Sequence, residues 1–283
     1  MRHIIIAACA TLALSACERS GEAEVARAMQ DLSGVEGGAL NDVMLTVADP
    51  NEAVTYFTAA VAQNPGDIMP MRGLAGSLVK AGRPADAVTA WQAVIANPAA
   101  SDDDRVELAD AQIRTNDWTA AEATLNAIPP THETYKRYRL EAMVADSQEK
   151  WDKADSFYDT AAGLTTTPGG VYNNWGYSKL TRGDYPGAER LFTQALAHNS
   201  SMFTAKNNLV LARAAQRNYT LPVVQMTQVE RAQLLHTMGL AAIKQNDIVT
   251  GKSLLNDAIE THPQHFEEAA RALAALDANA ING

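Results

Sequence analysis

Small and large apolar residues recur along this chain at fixed offsets. An alanine is followed four residues later by a large apolar side chain, and three further on by another small or apolar one. The sets are Ala53, Phe57, Ala60; Ala87, Trp91, Val94; Ala121, Leu125, Ile128; Ala154, Tyr158, Ala161; and Ala188, Phe192, Ala195. Their leading alanines lie 34, 34, 33 and 34 residues apart, and a further set, Gly251, Leu255 and Ala258, starts 63 residues beyond Ala188. Offsets of four and three put such residues on one helix face. A constant period of this length marks stacked helical repeats.

Each set has a partner helix upstream. Leu74-Ala75, Leu108-Ala109, Trp175-Gly176 and Met238-Gly239 lie twelve or thirteen residues before their small residue. Turn signals separate the two helices: Gly82-Arg83-Pro84, Asn116-Asp117, Arg182-Gly183-Asp184 and Asn246-Asp247. Asn64-Pro65-Gly66, Asn97-Pro98 and Thr261-His262-Pro263 end the second helix. Ser101 before three aspartates suits a helix start, and Thr227-Gln228-Val229-Glu230 reads as a capping box.

This pattern resembles the tetratricopeptide repeat, most closely at Tyr172, Trp175, Gly176, Ala188, Phe192 and Ala195. Leu235, Met238, Gly239, Gly251, Leu255, Ala258 and Pro263 match nearly as well. The resemblance implies an all-α fold: a right-handed superhelical solenoid of antiparallel helix pairs with a C-terminal capping helix. Helices approach closely only where both present small residues, which assigns structural roles to Ala53, Ala87, Ala121, Ala154, Gly176, Ala188, Gly239 and Gly251. Two departures are expected. Asn41 stands where the first repeat wants a small residue, and after Lys206–Arg217 the stretch Tyr219-Thr220-Leu221-Pro222 breaks the pattern. The layout is then repeats over 39–202, an irregular partial repeat over 203–231, a final repeat over 232–265, and a capping helix and tail over 266–283.

Residues 1–16 read as a signal peptide: Arg2 and His3, then an apolar run from Ile4 to Leu14 too short to span a bilayer. Leu14-Ser15-Ala16-Cys17 resembles a bacterial lipobox, which implies lipid on Cys17 and, with Glu18 following, an outer-membrane destination facing the periplasm. An ordinary signal peptide that happens to contain Cys17 is the alternative. Residues 17–38 read as a tether. The only cysteines are Cys9 and Cys17, so the mature chain has no disulfide. Losing Arg2 leaves 22 basic against 33 acidic side chains, a net charge of −11. Such a chain has no electrostatic footprint for nucleic acid.

Catalytic signatures are missing from the sequence: it has no Gly-rich phosphate loop, no His-Glu-x-x-His and no Gly-x-Ser-x-Gly. His262 and His265 lack a third metal ligand, and Asp102, Asp103 and Asp104 lack the spacing of a calcium loop. No enzyme activity, cofactor or metal is expected. What remains is a partner-binding face. By resemblance it lies on the first helix of each pair and includes Arg72, Lys80, Asp110, Arg114, Arg139, Asn173, Tyr177, Asn207, Leu211, His236 and Lys244. This mixture suits an extended or helical peptide of a protein partner.

Together with the lipobox and the repeats, the stretch from Glu230-Arg231-Ala232 through Thr261-His262-Pro263-Gln264-His265 is similar to the TadD lipoproteins of the tight-adherence (Flp-type) pilus system. That resemblance implies an assembly adaptor with the pilus secretin as a partner. An adaptor for cell-wall hydrolases or outer-membrane protein assembly stays open, as does an enzyme or substrate-binding protein that uses the repeats.

Overall fold

The structure, a computed structural model, describes residues 40–282. The signal peptide, Cys17 and the tether lie outside the described residues. Two compact units divide the chain between Thr124 and Leu125.

In the first unit a short helix α1 (40–46) precedes α2 (Pro50–Gln63), α3 (Ile68–Lys80), α4 (Pro84–Ile95) and α5 (Asp102–Arg114). Helix α6 (Trp118–Asn126) follows. Consecutive helices pack: α2 on α3, α3 on α4, α4 on α5. Ala75, Leu78, Ala87, Trp91, Val94, Leu108 and Ala111 form the core. Asn41, the expected misfit of the first repeat, accepts a hydrogen bond from the Tyr56 hydroxyl at 3.0 Å. A side chain too large for close helix packing thus becomes a polar link between α1 and α2.

In the second unit come α7 (Tyr135–Ser147), α8 (Trp151–Gly163), α9 (Gly169–Thr181), α10 (Tyr185–His198) and α11 (Phe203–Ala215). They are followed by α12 (Gln228–Lys244), α13 (Ile248–Thr261) and α14 (Glu267–Asn282). Helices α7 and α8, α9 and α10, and α12 and α13 pack as pairs, and α14 covers α13. Phe266, Ala269, Leu273 and Leu276 close onto the core of Leu234, Met238, Leu255 and Ala258, so the apolar end of the last pair is capped. Every described residue lies in helix, turn or irregular structure.

Helix starts follow the polar residues that mark them. Asp49, Asp67, Thr134, Asp184, Thr227 and Asp247 each accept backbone N–H groups of the first turn. Capping boxes form at Ser101/Asp104 and Thr227/Glu230. The small residues sit at the tightest approaches. Ala53, Ala87, Ala121, Ala154 and Ala188 are buried, as are Gly176, Gly239 and Gly251. A Cβ on Gly176 would lie 2.7 Å from the Phe192 ring, and one on Gly239 3.2 Å from the Gly251 carbonyl.

Candidate functional site

The first helix of each pair ends on a residue in the left-handed region: Gly82, Asn116, Glu149, Gly183, Arg217 and Asn246. After each, the next N–H reaches back five residues to a carbonyl, as from Arg83 to Leu78 and from Asn218 to Arg213, closing the helix end. These six residues supply a common register. Arg217 keeps the 34-residue step from Gly183, while Asn246 follows after only 29.

Counting back ten, six and two residues from each turn gives three positions four apart, which share one helix face. In the first unit these are Arg72, Gly76 and Lys80 on α3, and Val106, Asp110 and Arg114 on α5. Arg72 is committed to structure. Its Nε and Nη2 donate to the two oxygens of buried Asp104, each at 2.7 Å, tying α3 to α5. Those hydrogen bonds hold the guanidinium more firmly protonated than usual. Burial pushes the Asp104 carboxyl up, but the bonds from Arg72 and Ser101 outweigh it and hold it below its ordinary range. Lys80 Nζ donates to the Leu45 carbonyl, and Arg114 pairs with Asp110 at 3.3 Å.

In the second unit the ten-back position is Arg139, Asn173, Asn207 and His236, and the six-back position is Met143, Tyr177, Leu211 and Leu240. A polar ladder joins successive helices along the first of these rows. Asn208 Nδ2 donates to Asn173 Oδ1 at 3.2 Å, and Thr237 Oγ1 donates to Asn207 Oδ1 at 2.9 Å. With its oxygen engaged, each amide keeps its NH2 group as the donor for a partner. Beside this ladder the second row is apolar and opens to solvent, with Tyr177 55% and Leu240 43% exposed. Lys244 is exposed at the end of α12. The arrangement offers backbone-like donors next to an apolar stripe, which suits a peptide main chain with apolar side chains.

His236 stands apart from that chemistry. Its ring packs 5.3 Å from Phe266, which His262 stacks on from 4.9 Å. Burial lowers its pKa against the opposing charge of Glu268. Neutral His236 therefore helps seat the cap. His262 bonds to the backbone of Gln264, and His265 pairs with Glu267 at 2.9 Å.

The interruption after α11 has a defined structure. Residues 218–227 form no helix and stand where a second helix belongs. Pro222, 34 residues beyond Ala188, is buried. Tyr219, Leu221 and Met226 lie against the core of α12–α14, and Val224 against that of α10 and α11. Lys206 anchors the segment, donating to the Gln225 carbonyl at 2.8 Å and to Glu230 Oε1 at 3.1 Å. A pocket of about 350 Å³ opens beside it, lined by Ser200, Ser201, Lys206, Met226 and Thr227 among others.

Reasoning from sequence missed Met143 and Leu240, which extend the Tyr177–Leu211 row. Their signal was available: both lie six residues before a turn. The donors Asn208 and Thr237 carried none, because pairing between helices depends on how neighbouring pairs are rotated.

The repeating geometry defines the class: antiparallel helix pairs of the tetratricopeptide type, an architecture that serves as a protein-interaction scaffold. Residues 72–134 and 173–221 match the tetratricopeptide repeat family profile. None of the curated proteins matches the sequence. Among solved structures, a tetratricopeptide repeat protein from Parabacteroides merdae is 12% identical with a TM-score of 0.53, covering 80% of this chain and 91% of its own. The thermophilic tetratricopeptide protein TTC0263 of Thermus thermophilus is 17% identical with a TM-score of 0.54, covering 62% and 95%. The APC/C hetero-tetramer Cut9–Hcn1 is 15% identical with a TM-score of 0.56 over 84% of this chain, which spans only 41% of that one. At these identities the likeness is one of fold.

Proposed function

We propose that this chain is a lipid-anchored adaptor that faces the periplasm and binds a protein partner through the first-helix face, without catalysis. The observation that carries the binding role is the paired rows of the second unit, where Asn173 and Asn207 run beside Tyr177 and Leu211. The anchoring rests on Leu14-Ser15-Ala16-Cys17, and lipid on Cys17 would hold it at the outer membrane. Its resemblance to the TadD lipoproteins supports a role in Flp/Tad pilus assembly, acting as a pilotin does for the secretin. Service to cell-wall hydrolases or outer-membrane protein assembly is the second reading.

The test is cross-linking of the full chain in envelopes of its own bacterium, followed by identification of the captured protein. A pilus secretin is expected with the natural chain and is lost with Tyr177→Ala plus Leu211→Ala. Capture of cell-wall hydrolases alone overturns the pilus reading. Retention of the partner by the double variant overturns the face. Cys17→Ser is expected to release the protein from membranes, and continued membrane association of a cleaved product overturns the anchor.

A further inference from the structure

Arg139 on α7 is a half-buried guanidinium without an acceptor. Five other arginines among the described residues are buried or half-buried, and each pairs with a carboxylate: Arg72, Arg105, Arg137, Arg182 and Arg213. Arg139 pairs with none among the described residues, and its Nε is closed off from solvent with no hydrogen bond. The carboxylates on and just before α7 are engaged elsewhere. Glu141 takes Arg137 at 2.8 Å, and Glu133 takes the Tyr138 hydroxyl at 3.3 Å. Asp146 accepts from Tyr158 at 2.9 Å and from Ser178 at 2.7 Å.

The repeat register identifies what Arg139 lacks. Arg72 and Arg139 both stand ten residues before the turn that ends their helix. Arg72 meets Asp104, which stands twelve residues before the turn that ends α5. The equivalent place in α9, the next first helix after α7, is Val171, an apolar and buried residue. Arg139 therefore keeps the position of Arg72 without the internal carboxylate. We propose that Arg139 takes the carboxylate of an aspartate or glutamate side chain in the partner segment, so that the segment is acidic at one point and apolar beside it. This rests on the proposed binding face and names what that face selects. A guanidinium can hold a carboxylate through two parallel N–H bonds, as Arg72 does through Nε and Nη2. The apolar neighbours are Met143, one turn along α7, and Tyr177 on α9, which is 55% exposed. Asn174 Nδ2 reaches the Met143 sulfur at 3.4 Å, so the two helices meet beside Arg139.

The experiment is selection of a phage-displayed library of random dodecapeptides on the full chain in detergent. The recovered peptides are expected to be enriched in Asp and Glu beside apolar residues. They are expected to bind Arg139→Met about tenfold or more weakly, the worth of one charge-assisted bond. Arg139→Lys is expected to recover part of that loss, because it restores the charge without the planar fork. Selection on Arg139→Glu is expected to turn the preference towards Lys and Arg, a gain that a misfolded chain would not produce. Peptides that need Tyr177 and Leu211 but carry no acidic enrichment overturn the anchor and leave the face standing. So does equal binding to Arg139→Met, or an unchanged preference on Arg139→Glu. A library that yields no peptide dependent on Tyr177 and Leu211 overturns the face, and the anchor with it.

Discussion

Lys206 is 2% exposed and reaches from α11 to Glu230 Oε1 at 3.1 Å, binding the carboxylate that caps α12. Arg72 does the same for α5, gripping Asp104 at 2.7 Å in the capping box of that helix. In both, a cation on one first helix clamps the third-residue carboxylate of the next. The pair is a positioning device as much as a stabilising one, since Glu230 orders the helix start and Lys206 also holds the Gln225 carbonyl.

Lys206→Met keeps the buried hydrocarbon and removes both hydrogen bonds. Stability is expected to fall by about 1–2 kcal/mol, the worth of a charge-assisted bond whose partner is partly hydrated. Limited proteolysis is expected to cut earlier within 218–227, because that segment lacks other ties to α11 of this strength. An unchanged cutting pattern would sink the anchoring role.

Gly176 and Gly170 form a matched pair on α9. A methyl on Gly176 would meet the Phe192 ring at 2.7 Å, whereas one on Gly170 meets nothing within 4 Å. Gly176→Ala is expected to destabilise by roughly 1–3 kcal/mol through overpacking, despite alanine's better helix propensity. Gly170→Ala is expected to stabilise by up to about 1 kcal/mol. Chemical denaturation of the two variants separates packing from propensity.

Glu149 holds a positive φ of 57° in a turn where Gly82 and Gly183 occupy the equivalent places. A side chain there costs about 1 kcal/mol or more. Glu149→Gly is expected to raise the thermal midpoint, and Gly183→Ala to lower it.

Acid should weaken the α3–α5 clamp in a definite window. The folded Asp104 carboxyl lies below its ordinary value, so its contribution is complete above the unfolded value of about 4 and disappears as pH falls through the folded one. The stability gap between the natural chain and Asp104→Asn is therefore expected to be widest above about pH 4 and to close below it. Midpoints followed across that range check this, and a gap that stays constant with pH would assign the cost to shape alone.

Helix pairing, turn positions and caps were legible from the chain because each depends on a few neighbouring residues. Alanines at a 34-residue step show where helices touch, and Thr227 with Glu230 shows where one begins. The candidate face was legible in part: Asn173, Tyr177, Asn207 and Leu211 follow from position within the repeat. Arg72 was equally visible, yet its partner Asp104 lies 32 residues away, and local pattern does not say which side chains meet across repeats.

The sequence by itself determined the period, the helix ends and the place of the interruption, all properties of short-range sterics and hydrogen bonding. Tertiary structure alone decided that Pro222 is buried in the interruption, that buried Lys206 holds the loop down, and that His236 packs on Phe266 of the cap. Each of these depends on a side chain being desolvated by residues distant in sequence. Burial of that kind is set by how the helix pairs stack.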